Sequence, residues 1–220
     1  MNNPQSEVDD PDVASHRLAA GGSGVDAREQ IQQRMSALEL GKRSIHGPFV
    51  YVVGALVTIL GSSIRSDYPF LAMLVVASLS LLAVARVLYA RGFESRYDRV
   101  GERAVRDFTI LLVIQCSIFS WSAGAVAIHY GEEVESILAL LFGISAAAAG
   151  TSSLAPRVGV HRVFLAALMT PLLVCLIPGF GELGIGLLVG SLVMVAFYLR
   201  EVTLASAALT RSGSKVIKPR

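Results

Sequence analysis

Long apolar stretches alternate with short polar segments along most of this chain. Each stretch is close to the roughly 20 apolar helical residues that cross a bilayer core about 30 Å thick. Helices are expected rather than strands, because an open strand would leave backbone groups unpaired in lipid. The pattern predicts an all-α polytopic integral membrane protein, a six-helix transmembrane bundle with spans at 45–64, 69–89, 108–129, 137–155, 163–180 and 183–199. The last two spans are short, so one stands nearly upright or the two pair as a tight hairpin.

The basic residues predict the orientation of these spans. Of the 19 Lys and Arg residues, all except Arg65 fall on one side if the number of spans is six. Basic segments of membrane proteins stay cytoplasmic. We therefore expect a multi-pass protein of the inner (plasma) membrane of a bacterium, with the N-terminus and the C-terminus both cytoplasmic.

The polar segments outside the spans have different compositions. Residues 1–25 are rich in Asn, Asp, Ser, Gly and Pro, which predicts a disordered cytoplasmic tail. Residues 26–44 carry apolar side chains at helical spacing, which indicates an amphipathic juxtamembrane helix or a helical extension of the first span. Residues 91–107 form either a solvated hairpin or a contact with anionic lipid headgroups, and residues 200–220 form a cytoplasmic tail.

An ionisable or strongly polar side chain inside a membrane is by default a functional hypothesis. Arg86 lies near the inner end of the second span, and we expect it to snorkel to the surface. Gln115 is the single amide within a span, and it either joins helices or binds a ligand. The sequence contains no catalytic, cofactor-binding or metal-binding motif, and nothing in it predicts binding of nucleic acid.

The fourth span invites comparison with intramembrane serine proteases. It contains Gly143-Ile144-Ser145-Ala146, whereas the rhomboid type has Gly-x-Ser-Gly and a His on a later span. A serine nucleophile needs such a base for activation. The predicted fifth and sixth spans contain no His, so we expect the protein not to be an enzyme.

Small residues dominate the fourth span, as in Ala146-Ala147-Ala148-Ala149-Gly150-Thr151-Ser152-Ser153. Small residues four positions apart allow two helices to approach closely, which favours a central position for this span. The span ends in Leu154-Ala155-Pro156, and a basic loop and Thr170-Pro171-Leu172-Leu173 follow. The segment resembles the six-span membrane-embedded N-terminal sensor region of bacterial histidine kinases and diguanylate cyclases.

This resemblance implies a non-enzymatic sensor or signalling module. The 220 residues include no phospho-accepting His with an ATP-binding domain and no Gly-Gly-Asp/Glu-Glu-Phe signature, so the output would belong to a cytoplasmic kinase or cyclase partner. The expected further partners are membrane lipids and a second copy of the chain. Candidate signal-sensing or packing residues are Gln115, Ser145, Gly150, Thr151, Ser152 and Pro171.

A small transporter or channel subunit is the alternative hypothesis. It would need polar side chains along a path across the bundle, and the candidates are Gln115, Ser117, Ser120 and Ser122. The spans lack a central carboxylate of the kind that ion-coupled transporters use, which favours the sensor.

Overall fold

The structure, a computed structural model, describes residues 30–216, and every regular element in that range is an α-helix. The helices are α1 (30–43), α2 (Gly47–Leu60), α3 (Ile64–Asp67), α4 (Pro69–Arg91), α5 (Phe93–Val100), α6 (Glu102–Tyr130), α7 (Val134–Leu154) and α8 (Val158–Val216). Six helical stretches are long and apolar enough to cross a bilayer, namely Gln30–Leu60, Pro69–Arg91, Glu102–Tyr130, Val134–Leu154, Val158–Leu176 and Gly184–Ala205.

The predicted all-α fold with six helical stretches long and apolar enough to cross a membrane is therefore confirmed, whereas the side of the membrane on which the termini lie stays a prediction. Helix α1 falls within the predicted juxtamembrane segment 26–44. The predicted disordered tail 1–25 and residues 217–220 of the predicted C-terminal tail lie outside the described residues.

Prolines and glycines mark several of the helix ends. Pro48 and Pro69 lie in the first turns of α2 and α4, where a missing N–H group removes no intrahelical bond. Gly101 and Gly131 have φ angles of 58° and 59°, in the left-handed region that disfavours any residue with a Cβ atom. Gly101 separates α5 from α6, and Gly131 ends α6.

Helix α6 lies at the centre of the bundle, in contact with α2, α4, α5, α7 and α8. In its most apolar window 44% of the residues are buried, compared with 28% in α7. The expectation that the small-residue fourth span is central is therefore wrong. The reason is that α6 carries the large core side chains Phe108, Leu112 and Phe119, which need neighbours on several sides, whereas α7 contacts α2, α6 and α8 through shorter side chains and leaves more of its surface exposed.

Helix α8 contains the fifth and sixth candidate spans. It is helical without interruption over Val158–Val216, with Pro171 and Pro178 inside it. A straight helix would place Leu168 and Tyr198 about 45 Å apart at 1.5 Å per residue. Both residues nevertheless belong to one apolar cluster. Helix α8 is therefore not straight between the two spans.

Candidate functional site

An apolar cavity of about 730 Å³ lies between α2, α4 and α6. Helices α3 and α7 each add one residue to the wall, Ile64 and Ala139. Trp121, the one tryptophan of the chain, also lines the cavity. Small-molecule sites have typical volumes of 300–1,000 Å³ and mostly apolar walls, so this cavity has room for an acyl chain or a comparable apolar molecule.

Aromatic side chains with polar tips form one side of this cavity. The Tyr68 hydroxyl lies 3.2 Å from Nε2 of His129, and the two rings meet edge to face with their centroids 5.2 Å apart. The Tyr130 hydroxyl donates a hydrogen bond of 2.7 Å to Oδ2 of Asp67. Tyr68, His129 and Tyr130 all line the cavity, and we call them the tyrosine–histidine cluster. The Tyr130 donor is used by Asp67, but the phenol oxygens of the cluster keep lone pairs and can accept a hydrogen bond from the polar end of an otherwise apolar ligand.

Gln115 is fully buried and uses both ends of its amide. Its oxygen accepts a hydrogen bond of 2.6 Å from Nη1 of Arg86. Its nitrogen donates to the backbone oxygens of Pro48 and Leu79, at 3.1 and 3.3 Å. Gln115 thus connects α6 with α2 and α4, which supports the interpretation that it joins helices rather than binds a ligand.

Arg86 is buried inside the bundle, with 2% of its surface exposed. The expectation that it snorkels to the surface is therefore wrong. The acceptor offered by Gln115 fixes the guanidinium inside, and the guanidinium carbon also lies 5.4 Å from the centre of the Phe108 ring, whose face attracts cations. In the sequence, the burial of Arg86 is indicated only by Gln115, because an amide within a span can solvate a neighbouring charge.

The three predicted hydroxyl residues of α7 do not meet at a common site. Ser145 and Ser152 are exposed and donate to backbone oxygens of α7 at 2.8 and 3.0 Å. Thr151 also bonds within α7, and its hydroxyl lies 3.2 Å from Nε2 of the buried His161. Hydroxyl groups that bond to the preceding turn satisfy themselves in an apolar environment, so these residues offer little to a ligand.

Gly150 and Pro171 lie at two different helix interfaces. At Gly150, α7 meets α8 so closely that an added Cβ would lie 2.3 Å from the Phe164 ring. Pro171 is buried, and its backbone oxygen lies 3.4 Å from the position of a Cβ added to Gly124 of α6. Both residues therefore contribute to close packing around α8.

Within the part of the chain that the structure describes, no group of three or more His, Cys, Asp or Glu side chains could hold a metal ion. No family model, curated protein or solved structure matches the chain. Its function therefore has to be inferred from its own residues, above all from those around the apolar cavity and from those at the opposite end of α6.

A polar cluster lies at the end of α6 that is far from the cavity. Arg157, in the turn between α7 and α8, donates two hydrogen bonds to Glu102 at 3.1 and 2.8 Å. The Tyr97 hydroxyl of α5 donates a third bond to Glu102, at 2.9 Å. Partial burial and the neighbouring carboxylate raise the pKa of Tyr97 above its usual value, so its hydroxyl remains a donor at neutral pH. These contacts join α5, α6 and the start of α8.

Proposed function

We propose that this protein is a non-enzymatic membrane sensor module that binds an apolar, membrane-derived molecule between α2, α4 and α6. The observation that carries the proposal is the 730 Å³ apolar cavity with the tyrosine–histidine cluster on one side. An acyl or isoprenoid chain would fill the apolar part, and its polar end would bond to the hydroxyl and imidazole groups. The resemblance to kinase and cyclase sensor regions supports the same assignment.

Helix α6 gives such a module a route for its signal. Residues of its second half line the cavity, and Glu102 at its other end bonds to Tyr97 and Arg157. A helix of 29 residues is about 43 Å long. A ligand that tilts or shifts α6 at the cavity would therefore move the Glu102 contacts, and a kinase or cyclase partner would respond to α5 and to the start of α8.

The proposed location is the inner membrane of a bacterium, with both termini in the cytoplasm. The one-sided distribution of Lys and Arg supports this orientation. In that orientation the Glu102 cluster lies on the cytoplasmic side, where a soluble output protein could contact it.

The alternative of a transporter or channel subunit receives less support, because its candidate polar groups bond within the protein. Gln115 uses both ends of its amide. Ser120 donates to the backbone oxygen of Leu168 in α8, and Ser122 donates to the backbone of its own helix. These bonds leave few polar groups free to bind a solute that crosses the bundle.

Quenching of Trp121 fluorescence by a brominated fatty acid tests for ligand binding. We expect saturable quenching with the protein in nanodiscs, because Trp121 lines the cavity. Ala125→Phe would fill the cavity from an exposed position and should weaken the apparent affinity at least tenfold. The matched control is Ala148→Phe, at an exposed alanine of α7 outside the lining. Non-saturable quenching, or equal quenching in both variants, would contradict binding at this site.

Spin labels at Ser95→Cys and Gly159→Cys test for signal transmission. Both positions are exposed, and they flank the Glu102–Arg157 contact, whereas Cys116 and Cys175 are buried and protected from labelling. We expect the fatty acid to shift the distance distribution between the two labels, and Ala125→Phe to abolish that shift. Binding without any shift would indicate a passive lipid site and would overturn the sensor assignment.

A further inference from the structure

A second, much smaller cavity lies around Arg86. Its volume is about 20 Å³, which is enough for a single water molecule or one small ion, because a water needs about 10–15 Å³. Arg86, Ser44 and Gly47 are among the lining residues. Nε of Arg86 and Oγ of Ser44 are both buried and have no hydrogen-bond partner among the described residues, and each residue has 2% of its surface exposed. The two residues that carry these open donors therefore both line one small cavity.

The charge of Arg86 is not balanced by an ion pair with any of the described residues. Ion pairs recorded among residues 30–216 join Arg43 to Glu39, Arg106 to Asp107 and Arg157 to Glu102, and none involves Arg86. Gln115 and the Phe108 ring solvate the guanidinium but carry no charge. An arginine stays protonated in proteins, and a buried charge without a counter-charge is costly.

The start of α2 adds to the positive potential at this cavity. Gly47 is the first residue of α2, and the preceding His46 makes no side-chain cap. Pro48 has no N–H group and the Phe49 N–H donates to the His46 oxygen at 3.3 Å, so Gly47 is the residue of this turn whose N–H can face an anion, and the helix dipole places partial positive charge there. An anion between this helix start and Arg86 would therefore face favourable charge from two directions.

From these observations we infer that the small cavity is a binding site for one halide-sized monovalent anion, held by Arg86, Ser44 and the first turn of α2. A water molecule would satisfy the two open donors, but it would leave the buried charge uncompensated. The small volume favours a single monovalent ion over a phosphate, a sulfate or a carboxylate-bearing metabolite. This inference concerns a different cavity from the proposed ligand site and does not depend on the sensor function.

Thermal unfolding in chloride and in gluconate, at one ionic strength and pH, tests the inference. A ligand that binds only the folded state stabilises it in a saturable way. We expect chloride at a hundredfold excess over its Kd to raise the Tm by about 5 °C or more relative to gluconate. Bromide should act similarly, and its anomalous scattering in a crystal should give a peak at Arg86. Equal Tm values in chloride and gluconate, or no bromide peak there, would overturn the inference in favour of a water.

Two variants separate this site from a general effect of salt. Ser44→Ala removes one of the two open donors and breaks no recorded side-chain hydrogen bond, so it should weaken the chloride dependence while the protein remains folded. Arg86→Gln should abolish the dependence if it folds, and Ser44→Ala keeps the inference testable if it does not. The control is Arg96→Gln, which removes an arginine that lies over the Tyr89 ring at 4.2 Å, and this variant should keep the full chloride effect. A chloride effect that is undiminished in Ser44→Ala would contradict the proposed site.

Discussion

Gly150 gives the sharpest test of the helix packing. A Cβ at this position would lie 2.3 Å from two atoms of the Phe164 ring, whereas ordinary contacts between carbon atoms are about 3.5–4.0 Å. Phe164 is fully buried in the main apolar cluster, so the ring has no free space into which it can turn. Gly150→Ala must therefore push α7 and α8 apart or distort the ring.

The expected cost follows from a comparison with Gly186→Ala. Nothing lies within 4 Å of a Cβ at Gly186, so that variant changes only the intrinsic helix propensity, which favours Ala over Gly by about 1 kcal/mol. The propensity gain is common to both variants. The difference between them isolates the overpacking, which typically costs about 1–3 kcal/mol. For a chain of this length, that difference corresponds to roughly 2–12 °C in Tm.

The difference in Tm between Gly150→Ala and Gly186→Ala can be measured by thermal unfolding in detergent. Size-exclusion chromatography with light scattering checks that both variants have the same oligomeric state. Phe164→Leu should recover part of the loss in the Gly150→Ala background, because a smaller side chain leaves room for the new methyl group. Such recovery is a coupling between residues in contact. If Gly150→Ala melts together with Gly186→Ala, then α7 and α8 do not meet at Gly150 as described.

Two further substitutions test the polar core and the end of α6. Gln115→Ala should lower the free energy of unfolding by about 1–3 kcal/mol, because it leaves a buried donor of Arg86 unpaired. The control is Ser117→Ala, at a half-buried position two residues away. Equal losses for the two variants in chemical denaturation would contradict the role of the amide. Gly131→Ala should lower the free energy of unfolding by about 1–2 kcal/mol, because the φ of 59° at Gly131 is unfavourable for a residue with a Cβ. The control is Gly47→Ala, where nothing lies within 4 Å of an added Cβ, and it should leave the Tm nearly unchanged. An unchanged Tm in Gly131→Ala would argue against the left-handed turn.

The bilayer itself makes much of this fold predictable from sequence. A span has to be apolar over a nearly fixed length, so the six stretches can be recognised without knowledge of their neighbours. The close approach of α7 and α8 at Gly150 is also predictable, because a glycine among alanines has no side chain to hold a neighbouring helix away. The sequence predicts that Gln115 either joins helices or binds a ligand. The choice between these two roles depends on the positions of Pro48, Leu79 and Arg86 around the amide.

Other features depend on how helices are rotated against one another, which hydropathy does not reveal. Arg86 could face lipid or the bundle, and only the placement of α4 beside α6 makes it buried. His161 lies between Arg157 and Arg162 in the sequence, which is typical of an exposed basic loop, but α8 begins at Val158 and His161 is buried. The large cavity could not be predicted either, because it is space that three helices leave unfilled.

The sixth span is attached to the rest of the bundle along a narrow face. Only 11% of its most apolar window is buried, compared with 50% in the fifth span, and Tyr198 and Val202 provide much of that contact. Segments with few buried contacts open at the lowest free energy. We therefore expect the last span to be the first to come away from the bundle when the protein unfolds.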